Sequence, residues 1–323
     1  MLLAIVAIIV GFGLLVWSAD RFVDGAAASA NYAGMPPLLI GMLVVGFGTS
    51  APEMVVSAMA ALDGNPALAL GNALGSNIVN ISLILGVTAL IAPIAVHSNI
   101  IRKELPILLI ITLVLGGMLW NHDVSFIEAS ILLVGFMGLI GWSIWSALKA
   151  KRDALQSECE QAVQMPALTK GKAAFWLIVG LLLLVASSRI LVWGAVEIAQ
   201  QLGVSDLLIG LTIVALGTSL PELAASISAA RKGEHDIAVG NVVGSNMFNS
   251  LAVIGIAGVI EPINNIGAEI FWRDWTAMLV ITAMLLIMAL KFGKARTITR
   301  KEGAVFVLFY LAYNLYLIMG SLG

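Results

Sequence analysis

Cysteine is nearly absent from this chain. The single Cys159 can form no internal disulfide, and no second thiol accompanies it to hold a metal. Histidine is scarce as well. His97, His122 and His235 are spaced neither with one another nor with any other ligand, and each is expected as a loop residue near the end of a span. Charged residues make up only 11% of the 323, where a soluble domain carries about 25%, and the formal net charge is −2. No basic stretch interleaved with aromatics occurs, which argues against nucleic acid as a partner. What remains is apolar, 60% of the residues. That composition predicts an all-α polytopic membrane protein with the lipid bilayer as its surroundings. The first apolar run, Leu2 to Trp17, lacks a basic flank and reads as a retained span rather than a signal sequence.

The chain repeats itself. Gly41 matches Gly210, Glu53 matches Glu222, Asn80 matches Asn249 and Pro93 matches Pro262, all at an offset of 169 without a gap. About two in five positions between Leu38 and Pro93 are identical to their partners. Helical spans are predicted at about 2–19, 36–62, 67–93, 104–120 and 125–148, then at about 172–200, 205–230, 236–261, 274–292 and 303–321. The first is expected to run on through Asp20 to Ala33. The predicted architecture is therefore ten transmembrane helices in two five-helix repeats, 1–148 and 172–323, joined by a charged linker at 149–171.

Five is odd, so the second repeat must enter the membrane from the opposite side. Lys and Arg gather in cytoplasmic loops. With the 149–171 linker inside, all basic residues but Arg189, within a span, and Arg273 fall on the cytoplasmic side. Both termini then face out and the repeats are inverted, the layout of a secondary transporter.

Within the second span lies Gly48-Thr49-Ser50-Ala51-Pro52-Glu53, and it returns as Gly217-Thr218-Ser219-Leu220-Pro221-Glu222. A carboxylate at mid-bilayer costs at least about 2.5–3.5 kcal/mol, so two copies in matching contexts mark a site. Proline removes a backbone donor, so Pro52 is expected to free a carbonyl near residue 48, and Pro221 likewise near Gly217. Such broken core helices are tolerated only where they line a cavity or are buried in protein. Gly71-Asn72 and Gly75-Ser76-Asn77 in span three match Gly240-Asn241 and Gly244-Ser245-Asn246 in span eight. Gly41, Gly71 and Gly86 are expected to permit close helix packing. Gly25 and Gly194, in the first and sixth spans, are either packing positions or swivels of sliding elements. Asp20 and Arg189 hold matching positions in those two spans.

The central polar set is Glu53, Glu222, Asn80 and Asn249 with the hydroxyls of Thr49, Ser50, Ser76, Thr218, Ser219 and Ser245. All are oxygen donors, which disfavours zinc, copper or iron and leaves hard cations. Ca²⁺ takes 6 to 8 oxygens in a flexible cage, whereas Mg²⁺ prefers a rigid octahedron. Ser50 and Glu53 are three apart and Ser76 and Asn80 four apart, so each pair shares a helix face. An intramembrane enzyme is the rival from another class, but no His or Lys base lies near Ser50 or Ser219 in sequence. A cation channel also fits the composition, but duplicated inverted broken helices favour a carrier.

Gly-Thr-Ser-x-Pro-Glu followed by Gly-Asn-x-x-Gly-Ser-Asn-x-x-Asn, present twice, resembles the cation/calcium antiporter superfamily, most closely its prokaryotic sodium/calcium exchanger branch. The resemblance implies an ion transporter, not an enzyme, in the bacterial inner (plasma) membrane, with Ca²⁺ and Na⁺ as transported ions and no cofactor. It implies one Ca²⁺ site overlapped by several Na⁺ sites. Glu53 and Glu222 would be the Ca²⁺ carboxylates, and Thr49, Ser50, Ser76, Thr218, Ser219 and Ser245 would serve Na⁺. Backbone carbonyls near Gly46, Thr49, Ala215 and Thr218 would complete the shells, with Asn80 opposite Asn249. Some members carry Asp where this chain has Asn249, which argues against K⁺ dependence here. A proton/calcium antiporter using the same two Glu is the alternative; the Thr-Ser pairs, which protons would not need, favour Na⁺.

Overall fold

The computed structural model describes residues 1–96, 101–157, 168–202, 215–289 and 297–322. They are almost entirely helical. Helix α1 is Leu2–Ala33, α2 is Pro37–Leu62 and α3 is Pro66–Ile91. Helices α4, Ile101–Leu119, and α5, Phe126–Ser157, follow. Next come α6, Lys170–Gln201, and α7, Leu220–Arg231, which a single turn, Ala215–Thr218, precedes. Helix α8 is His235–Ile260, α9 is Ile270–Ala289 and α10 is Arg300–Leu322. Seven of these, α1, α2, α3, α5, α6, α8 and α9, are long and apolar enough to cross a membrane. The chain is an integral membrane protein.

The elements begin and end for local reasons. Helix α1 has 32 residues, about 48 Å at 1.5 Å each, so it overruns a 30 Å hydrocarbon core as the sequence predicts. It stops at Gly34, whose φ of 61° is left-handed and whose N–H closes on Ala30 and Asn31 carbonyls. Two tight turns, before α3 and before α8, hinge on Gly64 (φ 75°) and Gly233 (φ 80°), themselves 169 apart. Ser125 and Glu128 form a reciprocal capping box at the start of α5, with Glu128 Oε2 2.9 Å from Ser125 N and 2.7 Å from its hydroxyl. Thr299 and Glu302 do the same for α10.

The chain forms two compact units, each drawing on both repeats: Met1–Thr49 with Ile140–Asn241, and Ser50–Leu139 with Val242–Gly323. In the first, α1 runs along α6 through glycines. A Cβ at Gly11 would lie 2.9 Å from Leu191 N, and one at Gly180 would lie 2.8 Å from Phe22 N. Gly11/Gly180 and Phe22/Leu191 are each 169 apart, so this is one contact made twice. Gly25 against Leu177 and Gly194 against Ile8 repeat the pattern, which gives those two glycines a packing role. At the far end of α7, the Ser228 hydroxyl donates to the Asp20 carboxylate. Lys232 Nζ reaches Asp24 Oδ1 at 2.6 Å and the Asp20 carbonyl at 2.6 Å. Arg189, the counterpart of Asp20, is exposed and makes no ion pair among the described residues.

In the second unit, a core that includes Leu70, Leu74 and Ile78 of α3, Leu115 of α4, Leu132 of α5, Ile254 of α8 and Met278 of α9 is closed by exchange between repeats. Strand β1, Ile94–Ala95, pairs antiparallel with β2, Thr297–Ile298, and a bridge joins Val124 to Ile263. Ile94 and Ile263 are 169 apart, but Val124 and Ile298 are 174 apart, as are the two capping boxes. The second repeat is thus five residues longer ahead of its last helix. Gly86 packs on Gly303 and Val307, and Gly255 on Ala129 and Leu133, again as counterparts. Gly41 packs on Ile237 and Gly240 in the first unit, as expected; Gly71 meets nothing among the described residues, against expectation.

The breaks expected in the core helices mostly take another form. Helix α2 continues through Pro52, and the irregularity lies upstream, as a π-helical turn at Gly41–Gly46. Helices α3 and α8 do not unwind at their glycines but widen into π turns at Asn80–Leu85 and Asn249–Val253. Helix α9 opens with a π turn at Ile270–Trp275. A π turn inserts one residue into the helix and re-aims the side chains around it, and it is favoured at functional sites. Among the described residues of these core segments, the helix is interrupted only at Ser219, with φ −93° and ψ 3°.

Candidate functional site

Gly46, Thr49, Ala215, Thr218, Ser219 and Glu222 belong to the first unit. Gly46 closes the π turn of α2. The buried Thr49 hydroxyl lies 3.0 Å from the Val45 carbonyl, 3.4 Å from that of Gly46 and 3.2 Å from Asn241 Oδ1. Asn241, fully buried, also donates from Nδ2 to the Glu222 carbonyl at 3.1 Å and to the Ser226 hydroxyl at 2.9 Å. It therefore ties Thr49 of one motif copy to the backbone of Glu222 in the other. Ala215 begins and Thr218 ends the turn before α7. The carbonyl of Gly217, left without a helical donor by Pro221, accepts the Ser188 hydroxyl at 2.8 Å. Ala19, the counterpart of Ser188, has no hydroxyl to give Gly48. Glu222 is 2% exposed and stands in the first turn of α7, where the positive end of the helix dipole faces its carboxylate.

Ser50, Glu53, Ser76, Asn80, Ser245 and Asn249 belong to the second unit, and all are buried. Glu53 is 2% exposed and sits inside α2 rather than at its start, so no helix terminus compensates its charge. Asn80 and Asn249 are each the first residue of a π turn. Asn80 Nδ2 donates to Asn246 Oδ1 at 3.0 Å, and Asn246 Nδ2 donates to the Asn77 carbonyl at 3.3 Å. Asn77 Nδ2 donates in turn to the Ser250 hydroxyl at 2.8 Å. The side-chain carbonyl oxygens of Asn77, Asn80 and Asn249 have no hydrogen-bond partner among the described residues. Buried amide oxygens are normally satisfied, so three such acceptors within one unit suit a cation, which takes oxygen lone pairs as a hydrogen-bond donor would.

Each unit thus holds one of the two buried carboxylates, together with motif residues that carry hydroxyl and amide oxygens. Burying a carboxylate without compensation costs several kcal/mol, and cation ligation is one way to offset it. Among the described residues no group of three or more His, Cys, Asp and Glu is placed to hold a metal. His122 lies in the turn after α4 and His235 opens α8; His97 falls outside the described residues. The residues that sequence reasoning left out of the candidate site are Asn77, Asn241 and Asn246, which sit in the repeated motif: Asn241 holds Thr49 and the Glu222 backbone in the first unit, and Asn246 holds Asn80 and the Asn77 backbone in the second.

The Sodium/calcium exchanger protein family profile matches residues 3–145 and 172–319. CaxA, an antiporter candidate of Alkalimonas amylolytica, is 46% identical over 99% of this chain and 100% of its own. The inner membrane protein YrbG of Escherichia coli is 41% identical over 89% of each chain. Among solved structures, the sodium-calcium exchanger NCX_Mj soaked without Na⁺ and Ca²⁺ superposes with a TM-score of 0.83 at 28% identity, covering 98% of this chain and 99% of that one.

Proposed function

Because the chain belongs to the sodium/calcium exchanger protein family, a family of transporters and not of enzymes, we propose that it is a secondary antiporter exchanging Na⁺ for Ca²⁺ by alternating access. The observation that carries this reading is the pair of carboxylates, Glu53 and Glu222, both buried, at matching positions of two motif copies that also carry hydroxyl and amide oxygens. In this reading they are the Ca²⁺ carboxylates. Thr49, Ser50, Ser76, Thr218, Ser219 and Ser245, with carbonyls near Gly46 and Ala215, serve Na⁺, and Asn80 and Asn249 add amide oxygens. Ca²⁺ and Na⁺ compete because their combined charge exceeds what two carboxylates neutralise. An empty doubly negative centre is held back by its desolvation cost, so the carrier crosses only when loaded, and that rule couples the two ions.

The same reading makes the repeats, 1–148 and 172–323, inverted five-helix halves. The cytoplasmic linker is 149–171 and both termini face outward, an orientation supported by the basic residues, all but Arg189 and Arg273 of which then face inward. The relatives' bacterial sources favour the inner membrane. The test is ⁴⁵Ca²⁺ uptake into proteoliposomes loaded with Na⁺, K⁺ or choline, for the parent and for Glu53→Gln and Glu222→Gln. Uptake that requires internal Na⁺ and vanishes in both variants is expected. Uptake driven equally by a proton gradient alone would transfer the protein to proton coupling, and no Ca²⁺ flux under either gradient, in folded protein, would overturn calcium as cargo.

A further inference from the structure

The two motif asparagines that open π turns are alike in sequence but not in their surroundings. Asn80 gives its amide nitrogen to Asn246 Oδ1 at 3.0 Å, and Asn246 is itself held by its own Nδ2 on the Asn77 carbonyl at 3.3 Å. A carboxamide is planar, so fixing the nitrogen fixes the oxygen on the opposite side. Asn80 Oδ1 is the end left without a hydrogen bond, at 2% residue exposure. A hard cation accepts only the oxygen end; the flipped amide would present N–H dipoles and repel it. By the 169 offset, Asn77 should hold Asn249 in the same way. Instead Asn77 Nδ2 goes to the Ser250 hydroxyl at 2.8 Å, and the counterpart of Ser250 in the first repeat is the apolar Ile81. Asn77 Nδ2 also reaches the Met278 sulfur at 3.3 Å, so the lock is built on one repeat and replaced on the other.

We propose that Asn246 is a positioning residue for cation binding: it holds the Asn80 carboxamide with its oxygen toward the ion and touches no ion itself. The inference rests on the reading of Asn80 as a cation ligand. Asn246→Leu keeps the volume and removes the acceptor. Asn246→Asp keeps an oxygen for the Asn80 amide. Asn80→Asp removes the need for orientation altogether, because both carboxylate oxygens can face a cation.

The experiment is Na⁺-driven ⁴⁵Ca²⁺ uptake by the full chain in proteoliposomes, with monodispersity in detergent as the folding control. N246L is expected to raise the KM for Ca²⁺ about tenfold with the maximal rate within about twofold, and N246D to stay within about threefold of the parent. In the N80D background, N246L is expected to change KM by less than about threefold. Asn80→Ala raising KM while N246L leaves it unchanged would overturn the positioning role and spare the ligand reading. Asn80→Ala without effect would remove the ligand reading, and the positioning role with it. If N246L and N246D misfold, or lose rate and affinity alike in both backgrounds, Asn246 is part of the helix packing only and the proposal fails.

Discussion

Asn241 has the most exacting environment of the residues behind the site, so its removal gives a sharp test. In Asn241→Ala, three buried groups lose a partner: the Thr49 hydroxyl, the Glu222 carbonyl and the Ser226 hydroxyl. They do not lose equally. Thr49 keeps the Val45 carbonyl at 3.0 Å and is barely affected. Ser226 lies four residues after Glu222, so its hydroxyl can turn back onto the Glu222 carbonyl and satisfy both in part. A buried unsatisfied polar group costs about 1–3 kcal/mol, so with this healing the net loss is about 2 kcal/mol rather than three times the unit cost. For a chain of 323 residues that lowers the melting temperature by about 3 °C, readable by thermal unfolding of the purified protein in detergent. Asn241→Asp is expected to be at least as costly. It keeps an acceptor for Thr49 but turns a carboxylate oxygen toward the Glu222 carbonyl. Both variants melting within about 1 °C of the parent would show that the three-way tie contributes nothing, and the reasoning would be wrong.

Gly180→Ala would place a Cβ 2.8 Å from the Phe22 backbone and is expected to cost about 1–3 kcal/mol in detergent unfolding, whereas Gly138→Ala, with no described atom within 4 Å, should be neutral or stabilise α5 by up to about 1 kcal/mol. Ser125→Ala removes one half of a capping box and should cost about 1 kcal/mol by the same measurement. Glu234, in the turn before α8, is held above the usual carboxylate range by burial, then by Asp236 and Asp24, with Lys232 opposing. The folded state therefore binds this proton more tightly than the unfolded chain. Its contribution to stability is present at low pH and is lost as pH rises out of the ordinary carboxylate range toward the raised value. Melting curves across that interval should show a shallower fall with pH in Glu234→Gln than in the parent.

Much of this was legible in the chain itself. The offset of 169 and the two Gly-Thr-Ser-x-Pro-Glu copies were visible because the residues that cannot be exchanged, glycine, proline and the buried glutamates, are the ones repeated. Most helix boundaries followed from apolar runs and their turns, but α5 runs to Ser157, past the expected end at 148 and into the charged stretch read as linker, and residues 205–214 of the expected seventh span lie outside the described residues. The π turns were not legible, because an α-helix and a π turn share composition and differ only in how a neighbour pulls one residue out of register. Asn241 was not legible as a tie because its partner Thr49 lies 192 residues away. The capping box at Thr299 matches Ser125 only at 174, so a fixed offset slides past it.

The crossed closures of the second unit have a consequence for how the molecule is made. Ile94 finds its strand partner only at Ile298, and Gly86 its packing partner only at Gly303, about 200 residues later. At 5–20 residues per second, the third helix waits about 10–40 s after synthesis for the chain that seats it. The first half on its own is an open clasp, with its strand edge and its glycine groove exposed to whatever the insertion machinery or a chaperone offers. Maturation of this fold is a late event, triggered by the arrival of the last helix.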